Sequence, residues 1–220
     1  AALLASAALA GETAAEDIER TDIWYGYTRT TFRFEGHTAW IVEPKCASAE
    51  GKPWTWTMQW AEAFVDRTGV PDLLAKGYHH VTLDVFDTRM DDGGLKACAE
   101  FQDFLVKELG FAPKANLIGI SWGGFMAARY AVAKPTNVAK IYFDNARLSP
   151  GLAPALAKAG IRVLLVYGTS DISVKPSANS EAFAAKFKAA GGDAKVIAHA
   201  EYGHHPHGVE SGEKNVVIGF

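Results

Sequence analysis

Two hydrophobic periods take turns along most of the chain. Residues 29–43, RTTFRFEGHTAWIVE, alternate apolar and polar side chains on either side of Glu35-Gly36, which predicts a hairpin turning at the glycine. After a polar loop, PWTWT at 53–57 is a short aromatic and β-branched stretch. AEAFVDRTGVPDLLAKG at 61–77 then carries helical spacing, broken at Gly69-Val70-Pro71 and at Gly77. From there the periods alternate steadily: strand-like HHVTLDVF (79–86), helical GLKACAEFQDFLVKELG (94–110), strand-like ANLIGI (115–120), helical WGGFMAARYAVAKP (122–135) and strand-like VAKIYFD (138–144). ALAKAG (155–160), IRVLLVYG (161–168), SEAFAAKFKAAGG (180–192) and AKVIAHA (194–200) continue the series. Strands alternating with helices predict an α/β fold: a mostly parallel central sheet with helices on both faces and the antiparallel N-terminal hairpin at one edge. In such sheets ligands bind at the carboxyl ends of the strands, where loops converge and helix N-termini point their N–H groups inward.

Composition narrows the picture. A chain of 220 residues with 49% hydrophobic and 21% charged residues suits one globular domain. A net charge of −3 leaves no basic footprint for nucleic acid, and the absence of an apolar run of about 18 residues predicts no membrane span. The first ten residues, AALLASAALA, end in the small-x-small form of a signal-peptide cleavage site, so export to a periplasm or the exterior is expected. Residues 1–20 are accordingly assigned to a leader remnant or disordered arm, and 21–220 to the single domain. Cys46 and Cys98 could pair in an exported protein, but two free thiols are the default.

The candidate chemistry sits at three strand ends. In NLIGISWGGFMAARYA (116–131), Ser121 lies between Gly119 and Gly123 where a strand meets a helix, the setting a nucleophilic serine requires. A serine hydroxyl needs a base, and the base an orienting carboxylate, with the acid before the histidine in chain order. Asp171 follows the strand IRVLLVYG, and His204 follows AKVIAHA and Gly203. Asp144, after VAKIYF, is the rival acid. His199, His204, His205 and His207 raise the question of a metal, but no nearby cysteine or HExxH pattern supports one, and neither metal nor cofactor is expected. His79 and His80 are read as capping the polar end of a strand, and Arg129 as a surface charge.

Through the hairpin, GISWGG, VYGTSD and YGHHPHG, the chain resembles the α/β-hydrolase family over nearly all of residues 28–220. The resemblance implies a serine hydrolase in which Ser121 attacks an acyl carbonyl, His204 acts as base and then acid, and Asp171 holds the imidazole. It implies the N–H of Trp122 as one oxyanion donor. The second is sought from Trp56 to Met58, because PWTWTMQW stands where many relatives carry a His-Gly signature. Trp54, Trp56 and Trp60 are read as core packing or as a stacking surface for a sugar-like ring, with Trp54 the substrate-binding candidate. His205 and His207 are candidate substrate contacts or packing residues. Only NARLSPGLAPALAKAG fills the place where many relatives insert a cap, which implies an open site. The chain stops at NVVIGF where relatives continue through a last helix. The expected substrate is a small-molecule or polymer-attached carboxylic ester, with an ester on a carbohydrate preferred. A dienelactone hydrolase-like or peptidase activity and a non-catalytic glycan-binding protein are the alternatives.

Overall fold

The β-branched and aromatic runs assemble into one nine-stranded sheet, and the helical runs cover it. The computed structural model describes residues 15–204 and 216–220. In chain order its main elements are β1 (Ala15–Trp24), β2 (Tyr27–Phe34), β3 (His37–Val42), β4 (Trp54–Thr57), α1 (Val70–Ala75), β5 (His79–Leu83), α2 (Asp92–Lys107) and β6 (Ala115–Ile120). They continue as α3 (Trp122–Ala133), β7 (Val138–Asp144), α4 (Ala153–Lys158), β8 (Arg162–Gly168), α5 (Ser180–Ala189) and β9 (Ala194–His199).

The strands lie in the order β1-β2-β3-β5-β4-β6-β7-β8-β9. Pairings from β5 through β9 are parallel, and those among β1, β2, β3 and β5 antiparallel. The chain leaves β4 for β5 on one side and returns to β6 on the other. That reversal opens a crevice beyond the carboxyl ends of β4 and β6, where a ligand site is expected.

Period-two alternation sends neighbouring residues of one strand into separate cores. Leu117, Ile141 and Phe143 face the larger core with Phe101 and Leu105 of α2, Tyr130 of α3 and Phe183 of α5. Ile118, Ile120 and Tyr142 face the smaller one with Val70 and Leu74 of α1 and Val217. Helix α2 shows why its segment is helical. Asp91 caps it by accepting from the Gly94 N–H at 2.9 Å, and Cys98, Phe101 and Leu105 bury one face.

Four features of the fold differ from what the sequence predicts. The hairpin β2–β3 is not the sheet edge, because residues 15–20, assigned to an arm, belong to β1, which pairs with β2 outside it. Ile18 and Ile23 stay exposed, so backbone pairing, the Asp22–Arg29 ion pair and buried Trp24 hold this strand, and none of these leaves a periodic signal. Residues 61–69 form turns rather than a helix, with positive φ at Phe64 and at Trp60 just before them, and α1 starts only at Val70 with Pro71 in its first turn. His79 and His80 are each 1% exposed and so cap nothing. β5 is covered on both faces: His79 packs on Phe111, while His80 stacks on Trp24, meets Trp40 edge to face and hydrogen-bonds Thr55 Oγ1 at 2.7 Å. Arg129 is half-buried, donating from Nε to the Met90 carbonyl.

Cys46 is exposed and Cys98 buried, and both are free thiols. No described helix is long and apolar enough to cross a membrane. The leader-like residues 1–10 lie outside the described residues. Between β7 and β8 the ordered elements are a short 3-10 turn, Pro150–Leu152, and α4.

Candidate active site

Ser121 occupies a sharp turn between β6 and α3, with φ 49° and ψ −118°. A non-glycine residue avoids this region unless its surroundings force it there. Here three backbone bonds do so: the Ser121 N–H donates to the Asp144 carbonyl at 3.1 Å, and its own carbonyl accepts from Gly124 at 3.0 Å and Arg147 at 2.7 Å. Two glycines make the turn possible. A Cβ on Gly119 would lie 2.7 Å from Gly124 Cα, and one on Gly124 would lie 2.3 Å from Ala146 Cβ. Ser121 is thus the N-cap residue of the twelve-residue α3, whose dipole favours negative charge there.

The acid and the histidine arrive from the next strand ends. Asp171 follows β8, and its carboxylate is fixed at both oxygens. Oδ1 accepts from the Ser173 and Val174 N–H groups, each at 2.8 Å, and Oδ2 lies 2.6 Å from His204 Nδ1. His204 follows β9, and its Nε2 lies 3.1 Å from Ser121 Oγ. Because the carboxylate accepts at Nδ1, the neutral ring carries its proton there, which leaves Nε2 to accept from the serine hydroxyl. The two loops are tied together by Ser170 N–H to the Tyr202 carbonyl at 2.9 Å and Glu201 N–H to Thr169 Oγ1 at 3.0 Å. The Asp171 side chain is 1% exposed and that of His204 16%, so the relay is shielded but reachable.

Asp144, the rival acid, faces away from this relay. Fully buried, it accepts from Arg67 Nε at 2.6 Å, Tyr142 OH at 2.8 Å and Asn145 Nδ2 at 2.9 Å. It belongs to a buried ion pair beneath the turn.

The tryptophans divide. Trp54 is fully buried, with Nε1 donating to the Ala112 carbonyl at 2.8 Å, so it cannot touch a substrate. Trp56 is fully buried against Phe101 and Tyr130 and lies inside β4, paired with Val81 and Leu117, which corrects its assignment as an oxyanion donor. Both rings share one face as alternation requires, and that face is the core. Trp60 alone of the three is exposed. It lines a cavity of about 280 Å³ with Ala63, Phe64, Ile120 and Ser121. A neighbouring hollow of about 430 Å³ shares Trp60 and Ala63 and extends to Gln59, Glu62 and Asp84.

Two backbone N–H groups suit an oxyanion. Trp122 is the first residue of α3, so its N–H has no acceptor within the helix. On the β4 side the Met58 N–H is consumed by the Ile118 carbonyl at 3.1 Å, which makes Gln59 the first residue past the ladder. The Gln59 backbone passes close over the turn: a Cβ on Gly123 would lie 3.2 Å from its nitrogen. Gln59 lies one residue beyond the Trp56 to Met58 stretch expected to supply the second donor. A backbone donor carries no side-chain signal, and only the register of β4 identifies it. His205 and His207 lie outside the described residues. Among the described residues no group of three or more His, Cys, Asp or Glu is placed to hold a metal ion.

A sequence profile for the family described as alpha/beta hydrolase fold matches residues 59–162. Solved structures align over most of the chain. A predicted CIB-like hydrolase from Thermoplasma acidophilum shares 19% identity, covers 91% of this chain and 97% of its own, and superposes with a TM-score of 0.64. An S-formylglutathione hydrolase from Agrobacterium tumefaciens shares 14% identity over 86% of this chain and 93% of its own, with a TM-score of 0.67. Dipeptidyl peptidase 4 from Porphyromonas gingivalis shares 12% identity over 92% of this chain but 36% of its own, with a TM-score of 0.62. No curated protein matches the sequence.

Proposed function

We propose that this chain, which has the α/β-hydrolase fold, is a serine hydrolase cleaving carboxylic esters through an acyl-enzyme. The observation that carries the reading is the continuous relay Ser121–His204–Asp171, at 3.1 and 2.6 Å, assembled from three separate strand ends.

Ser121 Oγ attacks the acyl carbonyl while His204 Nε2 takes its proton. Asp171 keeps the other ring proton at Nδ1 and stabilises the imidazolium that forms. The developing oxyanion is received by the Trp122 and Gln59 N–H groups, and each such donor lowers the barrier by about 2.7–4 kcal/mol. His204 returns the proton to the leaving alcohol. Water, deprotonated by the same nitrogen, then releases the acid and restores Ser121.

The short connection between β7 and β8, with no room for a cap over the site, and the cavity at Trp60 favour a small or polymer-attached ester. The carbohydrate preference loses the support of Trp54 and Trp56, and Trp60 remains as its one exposed stacking surface. The glycan-binding alternative loses the same support. Export remains our reading of residues 1–10, tested by whether the gene product fractionates outside the cytoplasm. The function itself is tested with nitrophenyl esters of graded acyl length beside matched anilides. Ester cleavage abolished by Ser121→Ala is expected, and preferential cleavage of the anilides would instead favour a peptidase.

A further inference from the structure

We propose that the cleft beside Ser121 selects esters that carry a carboxylate, gripped by Arg89 and Arg147 where both guanidiniums converge on the Trp122 ring. The proposal rests on the hydrolase reading above and names the substrate class that this site would take.

Trp122 directly follows the nucleophile. The Arg147 guanidinium lies over its ring at 4.4 Å, and that of Arg89 lies 5.7 Å from the same ring and 4.0 Å from Phe86. Phe86 meets Trp122 edge to face at 6.2 Å and Trp60 at 5.4 Å, so the aromatic row runs from the arginines to the Ser121 cavity. Both arginines are exposed, and neither has a carboxylate within ion-pair distance among the described residues. The contrast with the buried arginines is clear: Arg29 is paired with Asp22 and Glu62, and Arg67 with Asp144. Asp84, on the same loop as Arg89, is turned to accept from the Phe86 N–H at 3.1 Å.

Both positions are held by built structure. Arg147 is anchored by its own N–H on the Ser121 carbonyl. Arg89 and Met90 have φ 49° and 59°, in a turn closed by Arg89 N–H to the Phe86 carbonyl and by Thr88 Oγ1, which donates to the Val85 carbonyl and accepts from the Met90 N–H. Arg129 braces the same turn at the Met90 carbonyl. A guanidinium lying on an aromatic ring keeps its N–H edges free and pre-oriented, which suits the planar, two-point geometry of a carboxylate. Two such cations without a carboxylate partner among the described residues, both on the ring of the residue after the nucleophile, are complementary to an anionic substrate and poor company for a cationic one.

The test compares matched esters that differ in one charge. The first pair places it on the acyl side, the mono-4-nitrophenyl ester of adipic acid against 4-nitrophenyl hexanoate. The second places it on the alcohol side, 3-acetoxybenzoate against its methyl ester. In at least one pair the anionic member should be favoured about 10- to 100-fold in kcat/KM, the range expected of a charge-assisted pair, with the advantage shrinking as salt rises. Arg89→Gln should bring the ratio close to one while the neutral ester stays within about twofold. Arg147→Gln should do the same; if it disturbs the turn, both esters fall together and Arg89→Gln still separates charge from structure. Equal or poorer turnover of the anionic member in both pairs, or a preference unmoved by Arg89→Gln, overturns the proposal. If no ester of either kind is cleaved, the hydrolase reading has failed, and the subsite is then judged by benzoate binding followed through tryptophan fluorescence. Binding weakened by Arg89→Gln and not shared by benzamide supports it, and equal binding of the two in wild type overturns it.

Discussion

Asp171→Asn changes one atom, and the surroundings of that atom dictate its effect. Two backbone N–H groups, from Ser173 and Val174, converge on Oδ1 at 2.8 Å. An asparagine must therefore place its amide oxygen there, which turns its NH₂ toward His204 Nδ1. Nδ1 is then forced to accept, the ring proton moves to Nε2, and the ring donates to Ser121 instead of drawing its proton away. The size, shape and backbone bonds of the side chain are preserved, so folding should be nearly unaffected. The chemical step should slow by about 10⁴, the loss known for this exchange in the best-studied triad, equivalent to about 5.5 kcal/mol of barrier. The assay is kcat/KM on 4-nitrophenyl acetate beside a thermal melt of the same sample. A loss under tenfold with an unchanged melt would refute the orienting role. So would an Asp144→Asn enzyme that melts normally yet has lost more activity than Asp171→Asn.

Asp144→Asn is expected to act on stability: it removes the carboxylate facing the Arg67 guanidinium in the core, a loss of about 3–5 kcal/mol, read as a lowered denaturation midpoint. Burial holds the His79 imidazole down at about 4, with a smaller contribution from the Lys52 charge, and burial holds His80 at about 3. Both rings thus protonate more readily in the unfolded chain. Their contribution to stability is complete above about pH 6.5 and is lost as pH falls toward 4 and then 3, each adding up to about 1.4 kcal/mol per pH unit. Urea midpoints that stay level between pH 6.5 and 5 would contradict this. Gly124→Ala should cost about 1–3 kcal/mol because its methyl meets Ala146, whereas Gly151→Ala, whose nearest neighbour would be 3.8 Å away, should melt like wild type. Equal melting of the two variants would show that the turn is looser than described.

Much of this site could be read in the sequence because its determinants are local. An apolar run ending in Gly-x-Ser-x-Gly before a helical period fixes a strand, a turn and a helix together, and Asp171 and His204 each sit just past a comparable run. What escaped depends on which neighbour a face meets. Trp54 and Trp56 share a side of β4, as alternation requires, but their spacing is silent on whether that side looks at solvent or at Phe101. His79 and His80 read as polar, yet they sit where β5 is sandwiched between two layers. β1 has exposed isoleucines and is held by pairing with β2, and the place of the Gln59 backbone N–H beside the turn is one that no side chain advertises. Residues 61–69 have helical spacing, but positive φ at Phe64 and at the preceding Trp60 bends the chain around the cavity instead of coiling it.

The central claim is that Ser121 is made nucleophilic by His204. A fluorophosphonate probe, followed by mass mapping of the labelled peptide, tests it most directly. One adduct is expected, on the peptide containing Ser121, absent from Ser121→Ala and slowed by orders of magnitude in His204→Ala. Folded wild-type protein that takes up no probe, or takes it up at another residue, would contradict it.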